Sequence, residues 1–94
     1  MRIRWTRRAL TRIQSISDHV SADNPRAAAR LVQHLRMISE LLAEHPSIGR
    51  EGRVKGTREL VAPGVPYIIA YRLHSDEVQI LTVMHAARRW PSRL

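Results

Sequence analysis

The tightest constraint on the fold lies in the first half of the chain, where two helical stripes are punctuated by two prolines. From Thr6 onward, Ala9, Ile13, Ile16 and Val20 recur at spacings of four, three and four, with Leu10 widening the stripe. That is the period of an amphipathic helix with one face on a core. The stripe ends near "SADNP". Asn24 can accept from the free N–H groups of a new helix, and Pro25 suits its first position, where the missing N–H costs nothing. Ala28, Leu31, Leu35, Ile38 and Leu42 carry a second stripe. It stops at His45–Pro46, because the residue before a proline is pushed out of the α region. Two helices with so short a polar connection form an antiparallel hairpin.

The period then changes to that of strands. "RIRW" at positions 2–5 alternates, with Ile3 and Trp5 opposite Arg2 and Arg4, and predicts a short first strand. "PSIGREGR" reads as a loop. Beyond it come "VKGTRELV" (54–61), the turn "APGVP", "YIIAYRL" (67–73), the tight turn "HSDE" and "VQILTVM" (78–84). The middle run is apolar on both faces apart from Arg72, which suits a central strand covered on both sides. The predicted order is β-α-α-β-β-β. This is an α+β layer with the hairpin packed on one face of a mainly antiparallel sheet, as a single domain over 1–94.

Charge narrows the choice of partner. Sixteen Lys and Arg against eight Asp and Glu give a formal charge of +8, and only Lys55 among the sixteen is a lysine. A surplus this large in a short chain points to an anionic partner, either nucleic acid or an acidic protein segment. A chain of 94 residues builds only a modest core, so a partner that covers apolar surface would matter to its stability. Cysteine is absent, which excludes disulfides and thiolate metal sites. The basic start lacks an apolar run of signal-peptide length, and a cytoplasmic location is expected.

Common enzyme signatures are missing. The glycine pairs Gly49/Gly52 and Gly56/Gly64 fit neither standard phosphate-loop spacing, and no serine sits in a nucleophile-elbow context. His19, His34, His45 and His74 read as surface or capping residues, and no cofactor or metal is expected. What remains is a basic set attached to the sheet: Arg50, Arg53, Lys55, Arg58, Arg72, His85, Arg88 and Arg89. Arg72 lies among apolar neighbours and needs an anionic or carbonyl partner, which Glu59 on the preceding strand could supply. Alternatively, Arg58 and Arg72 extend a cationic face toward His85. His85 is the one histidine placed for acid–base work, with Arg88 or Arg89 to stabilise developing phosphate charge. That set would suffice for metal-free RNA cleavage by the RNA's own 2′-hydroxyl. The plain alternative is a histidine that ends a strand.

Taken in order, "NPRAAARLVQHL", "P.IGREG", "GTRELV", "PYIIAYR" and "ILTVMHAARRWP" resemble the RelE/ParE superfamily of bacterial type II toxins over nearly the whole chain. The resemblance implies a small cytoplasmic toxin silenced by a cognate antitoxin, whose acidic or amphipathic C-terminal segment wraps it. It also implies one of two targets. RelE-like members cut mRNA on the ribosome, whereas ParE-like members poison DNA gyrase. This chain departs from the RelE pattern in its single lysine and in Trp90, which stands where a proton-donating tyrosine is usual. The expectation is therefore a ParE-like gyrase inhibitor, with Arg50, Arg53, Lys55, Arg58, Arg89 and Trp90 as the binding surface. The alternative is a ribosome-dependent mRNA endonuclease using His85, Arg72, Arg88 and Glu59.

Overall fold

The computed structural model describes residues 1–94. Its elements run β1 (Arg2–Trp5), α1 (Arg7–Ser21), α2 (Pro25–Glu44), β2 (Arg50–Glu51), β3 (Arg58–Val61), β4 (Tyr67–His74) and β5 (Glu77–His85). The sheet order is β1-β5-β4-β3-β2, with β1 parallel to β5 and every other pair antiparallel. A parallel pair cannot be closed by a tight turn, and the chain between β1 and β5, which includes both helices, supplies the long connection it needs.

Both helices start where the capping chemistry predicts. The Thr6 hydroxyl accepts from the Ala9 N–H at 3.2 Å, and the Asn24 side chain accepts from the Ala27 N–H at 3.0 Å, with Pro25 at the first helical position. Each cap satisfies a donor that the helix leaves free. Ala9, Ile13 and Ile16 of α1 meet Leu35, Ile38 and Leu42 of α2 in one core with Ile69, Tyr71, Val78, Ile80 and Val83 of the sheet. Leu10 is an exception to the predicted stripe and stands exposed on α1.

Two differences from the sequence reading lie in the connection after α2. The strand expected from Val54 begins only at Arg58, because Val54–Thr57 closes a turn in which Thr57 donates from both N–H and hydroxyl to the Val54 carbonyl. Gly56 takes φ +82 there, a conformation that side chains disfavour. In addition, the "PSIGREGR" loop contains β2, which pairs Arg50 with Glu59 and Glu51 with Arg58. Two polar residues carry no readable alternation, so this edge strand has no sequence signal.

Between β4 and β5 the register shifts at Ala70/Tyr71, leaving Leu81 as an extra residue on β5. The bulge keeps Ile80 and Val83 on the helix-covered face together with Tyr71 and Ile69. Alternation then places Glu59, Ala70 and Thr82 in one row on the opposite face, beside Ile68 and Met84. That face is as deeply buried in its middle as the core side: Ile68, Ala70, Glu59, Gln79 and Thr82 are all buried. Only the ends of β4 and β5 are open. No helix is long and apolar enough to cross a membrane.

Candidate functional site

The predicted basic set does not form one patch. It divides into groups at different places on the sheet, and the strand register decides which.

The first group is built around Glu59. Its side chain is only 2% exposed, yet it carries a carboxylate, so the surrounding donors must satisfy it fully. They do. Arg50 donates to Oε1 from Nε at 3.3 Å and from Nη2 at 3.0 Å. Arg53 donates to Oε2 from its backbone N–H at 2.8 Å and from Nε at 3.1 Å, and to Oε1 from Nη2 at 3.2 Å. Burial alone would raise the carboxyl, but the Arg53 N–H and the two guanidinium groups outweigh it and hold it below its ordinary 4.5. Arg53 then stacks on Trp90, with Cζ 3.9 Å from the ring centroid. The indole Nε1 is buried without an acceptor. Trp90 is thus fastened to the sheet through Arg53.

What positions these arginines is the loop before β2. The Tyr71 hydroxyl, at the bottom of the core, donates to the Pro46 carbonyl at 2.8 Å and accepts from the Gly49 N–H at 2.9 Å. Gly49 lies so close to this ring that a Cβ there would come within 2.5 Å of the hydroxyl and 2.7 Å of the ring. Burial pushes the Tyr71 hydroxyl up, against the Gly49 N–H and the charge of Arg58. The role of Gly49 is close approach, which spacing in the sequence does not reveal.

Arg72 does not pair with Glu59, as its position in the sequence suggested. Its side chain is exposed at the far end of β4 and donates from Nε to Gln79 Oε1 at 2.7 Å. Gln79 in turn donates to Glu77 Oε1 at 2.7 Å, and Arg4 donates to the same oxygen at 2.9 Å. The Gln79 amide and then Arg4 hold the Glu77 carboxyl below its ordinary value. Glu59 and Arg72 face the same side, but Glu59 is registered opposite Ala70 and is already saturated by two nearer arginines. Arg58 points to the other side. It is registered with Tyr71 and donates to the carbonyls of Gly49 at 2.8 Å and Ser47 at 3.4 Å. Arg58 and Arg72 meet only at the sheet end, where they line an open depression of about 570 Å³ with Glu51 and Leu73. They do not extend toward His85. Lys55 and Arg89 are exposed and make no ion pair.

His85 lies at the opposite end. It is registered with Tyr67, whereas Arg72 is five positions further along the same strand, roughly 17 Å away at strand rise. The Tyr67 and His85 rings meet edge to face at 5.4 Å. His85 Nδ1 accepts from the Ala87 N–H at 3.1 Å, which places the ring hydrogen of the neutral form on Nε2. Around it is a cleft of about 270 Å³ lined by Arg12, Ser15, His19, Tyr67, His85 and Arg88. The sequence reading had no place for Arg12 and assigned His19 to the surface. Arg12, Ser15 and His19 do recur at helical spacing, but only the packing of α1 on β5 shows that this ridge borders His85.

Comparison with known proteins agrees with this architecture. Residues 3–90 match the model of a family described as the ParE toxin of type II toxin–antitoxin system, parDE. The chain belongs to the ParE toxin family. A Sinorhizobium fredii protein named as a toxin, Y4kP, is 53% identical over 93 residues, covering 99% of this chain and 96% of that protein. Toxin RelE2 of Caulobacter vibrioides is 36% identical over 84 residues, covering 89% of this chain and 93% of that protein. Among solved structures, the chromosomal ParDE TA system from P. aeruginosa includes a chain with a TM-score of 0.82 and 30% identity. The match covers 90% of this chain and 95% of that one. The chain is therefore a type II toxin of the RelE/ParE superfamily, with the α+β fold its sequence predicted. In this ParE-family toxin the segment from Val83 to Trp90 is divided: His85 and Arg88 turn toward α1, and Trp90 turns back under Arg53.

Proposed function

We propose that this ParE-family toxin acts by binding, as an inhibitor of DNA gyrase, and carries no hydrolytic chemistry of its own. The observation that carries the reading is the dispersal of the nuclease set. His85 and Arg72 stand at opposite ends of the sheet, and Glu59 has every lone pair engaged by Arg50 and Arg53. General acid–base catalysis needs its groups within hydrogen-bond reach of one reacting centre, and a carboxylate held ionised and saturated does not exchange protons near neutral pH. Trp90 supplies a stacking face and an N–H but no proton-donating hydroxyl. The ParDE neighbour supports the same reading.

A cognate antitoxin belongs to this proposal. Such a partner binds only the folded toxin and so adds to its stability, and the surplus of positive charge suits an acidic or amphipathic segment that orders on contact. Toxin and antitoxin would meet in the cytoplasm.

The RelE-like alternative keeps one specific support, the grouping of His85 with Arg88 in a single cleft. Induction of the chain without its antitoxin separates the two. The proposal expects stabilised gyrase–DNA cleavage complexes and intact mRNA. Codon-specific mRNA ends without such complexes would overturn it in favour of the endonuclease.

A further inference from the structure

The cleft between the last turns of α1 and the end of β5 has a composition that the gyrase reading does not use. Arg12, Ser15 and His19 reach it from one helix face, Tyr67 from β4, and His85 and Arg88 from the end of β5. No carboxylate lines it. Every one of these six side chains can donate a hydrogen bond. Arg12 spends Nε on the Val83 carbonyl at 3.0 Å, which orients its fork and leaves both Nη groups over. His85, with Nδ1 occupied by the Ala87 N–H, presents Nε2–H. Ser15, His19, Tyr67 and Arg88 have side-chain donors with no partner inside the chain, although Tyr67 and His85 are half-buried.

We propose that this cleft binds a backbone phosphate of a nucleic-acid strand. Donors converge on it from three separate elements, so a ligand must offer acceptor oxygens in several directions at once. A tetrahedral phosphate does so, whereas a planar carboxylate satisfies donors mainly in its own plane. The lining is polar apart from Ile16 and the Tyr67 ring, which gives an amphipathic peptide little apolar surface to bury. The cleft's volume of about 270 Å³ leaves room beside the phosphate for a neighbouring sugar. The inference stands apart from the choice of gyrase as target, since the cleft would hold strand backbone whether or not an enzyme presents it.

Fluorescence anisotropy of the purified full chain with a short labelled single-stranded DNA tests this, with RNA of the same sequence and a polyglutamate peptide as separate arms. Arg88→Gln, at an exposed position on the rim of the cleft, and His19→Gln are each expected to weaken DNA binding, Arg88→Gln by roughly tenfold. The Arg88→Gln change should also lower the slope of log affinity against log salt by about one. Arg72→Gln, which removes the same charge at the other end of the sheet, is expected to change affinity far less. Equal loss in Arg72→Gln and Arg88→Gln would show diffuse charge attraction and overturn the site. So would polyglutamate displacing the DNA at matched charge, which would make the cleft a receptor for an acidic peptide. Tighter binding of RNA than of DNA, still sensitive to Arg88→Gln, would support the site and identify its natural strand. Because the readout is binding by the isolated chain, its failure leaves the gyrase experiment unaffected.

Discussion

Replacing Glu59 by glutamine changes one atom in a buried side chain and removes the charge on which two arginines converge. Oε1 accepts three of the five hydrogen bonds and Oε2 accepts two. A glutamine has one carbonyl oxygen, so its NH2 group must face at least two donors whichever way it turns. Bonds to charged groups contribute about 1.5–3 kcal/mol each. Arg50 and Arg53 are 55% and 43% exposed, however, so water replaces much of what their guanidinium groups lose. The Arg53 backbone N–H has less recourse. Removing a buried charge also returns some of its desolvation cost. The net loss at neutral pH comes to about 2 kcal/mol, which at a urea slope of about 1 kcal/mol/M for a small domain lowers the midpoint by about 2 M.

The pH dependence follows from the direction of the Glu59 shift. Its folded carboxyl lies below the ordinary 4.5, so its contribution is present above that value and lost as pH falls through the folded one. The wild-type advantage over Glu59→Gln should therefore be full at pH 7 and shrink steadily below about pH 4.5. Glu77 titrates in the same region in both proteins and cancels in the difference. Urea unfolding followed by circular dichroism at several pH values measures the gap. Tryptophan quenching by acrylamide, measured in a Trp5→Phe background so that only Trp90 emits, should rise once Arg53 is no longer held over that ring. A gap of the same size at pH 3 and pH 7, or no shift in midpoint at either, would refute the reasoning.

Gly49→Ala should destabilise by about 1–3 kcal/mol, since its Cβ would lie 2.5 Å from the Tyr71 hydroxyl, and a lowered thermal midpoint would report it. Tyr71→Phe removes the donor to Pro46 and strands the Gly49 N–H; a loss of about 1–2 kcal/mol in urea unfolding is expected. The double variant should cost less than the sum of the two, because both changes act on one contact. Leu42→Ala, at a fully buried position of α2, should cost about 2–5 kcal/mol, whereas Met37→Ala, 61% exposed on the same helix, should stay within about 0.5 kcal/mol.

Periodicity and capping were enough for the helical hairpin, for β1 and for the two long strands, because each is a local pattern. Asn24–Pro25 starts α2, and His45–Pro46 ends it, using only neighbours in the chain. The composition alone also carries the surplus of arginine that marks an anionic partner. The pairing of charges is another matter. Arg72 and Glu59 looked complementary on adjacent strands, but their register separates them, and Glu59 answers instead to a loop arginine six residues before it and another three residues further back. No local pattern encodes β2, the close approach of Gly49 to Tyr71, or the bulge at Leu81. These arise from contacts between segments far apart in sequence, and it is such contacts that sort "VMHAARRWP" into a histidine and arginine facing α1 and a tryptophan held under Arg53. Residue types set which partners each group requires; only the packing of α1 on β5 and the strand register decide which of them it meets.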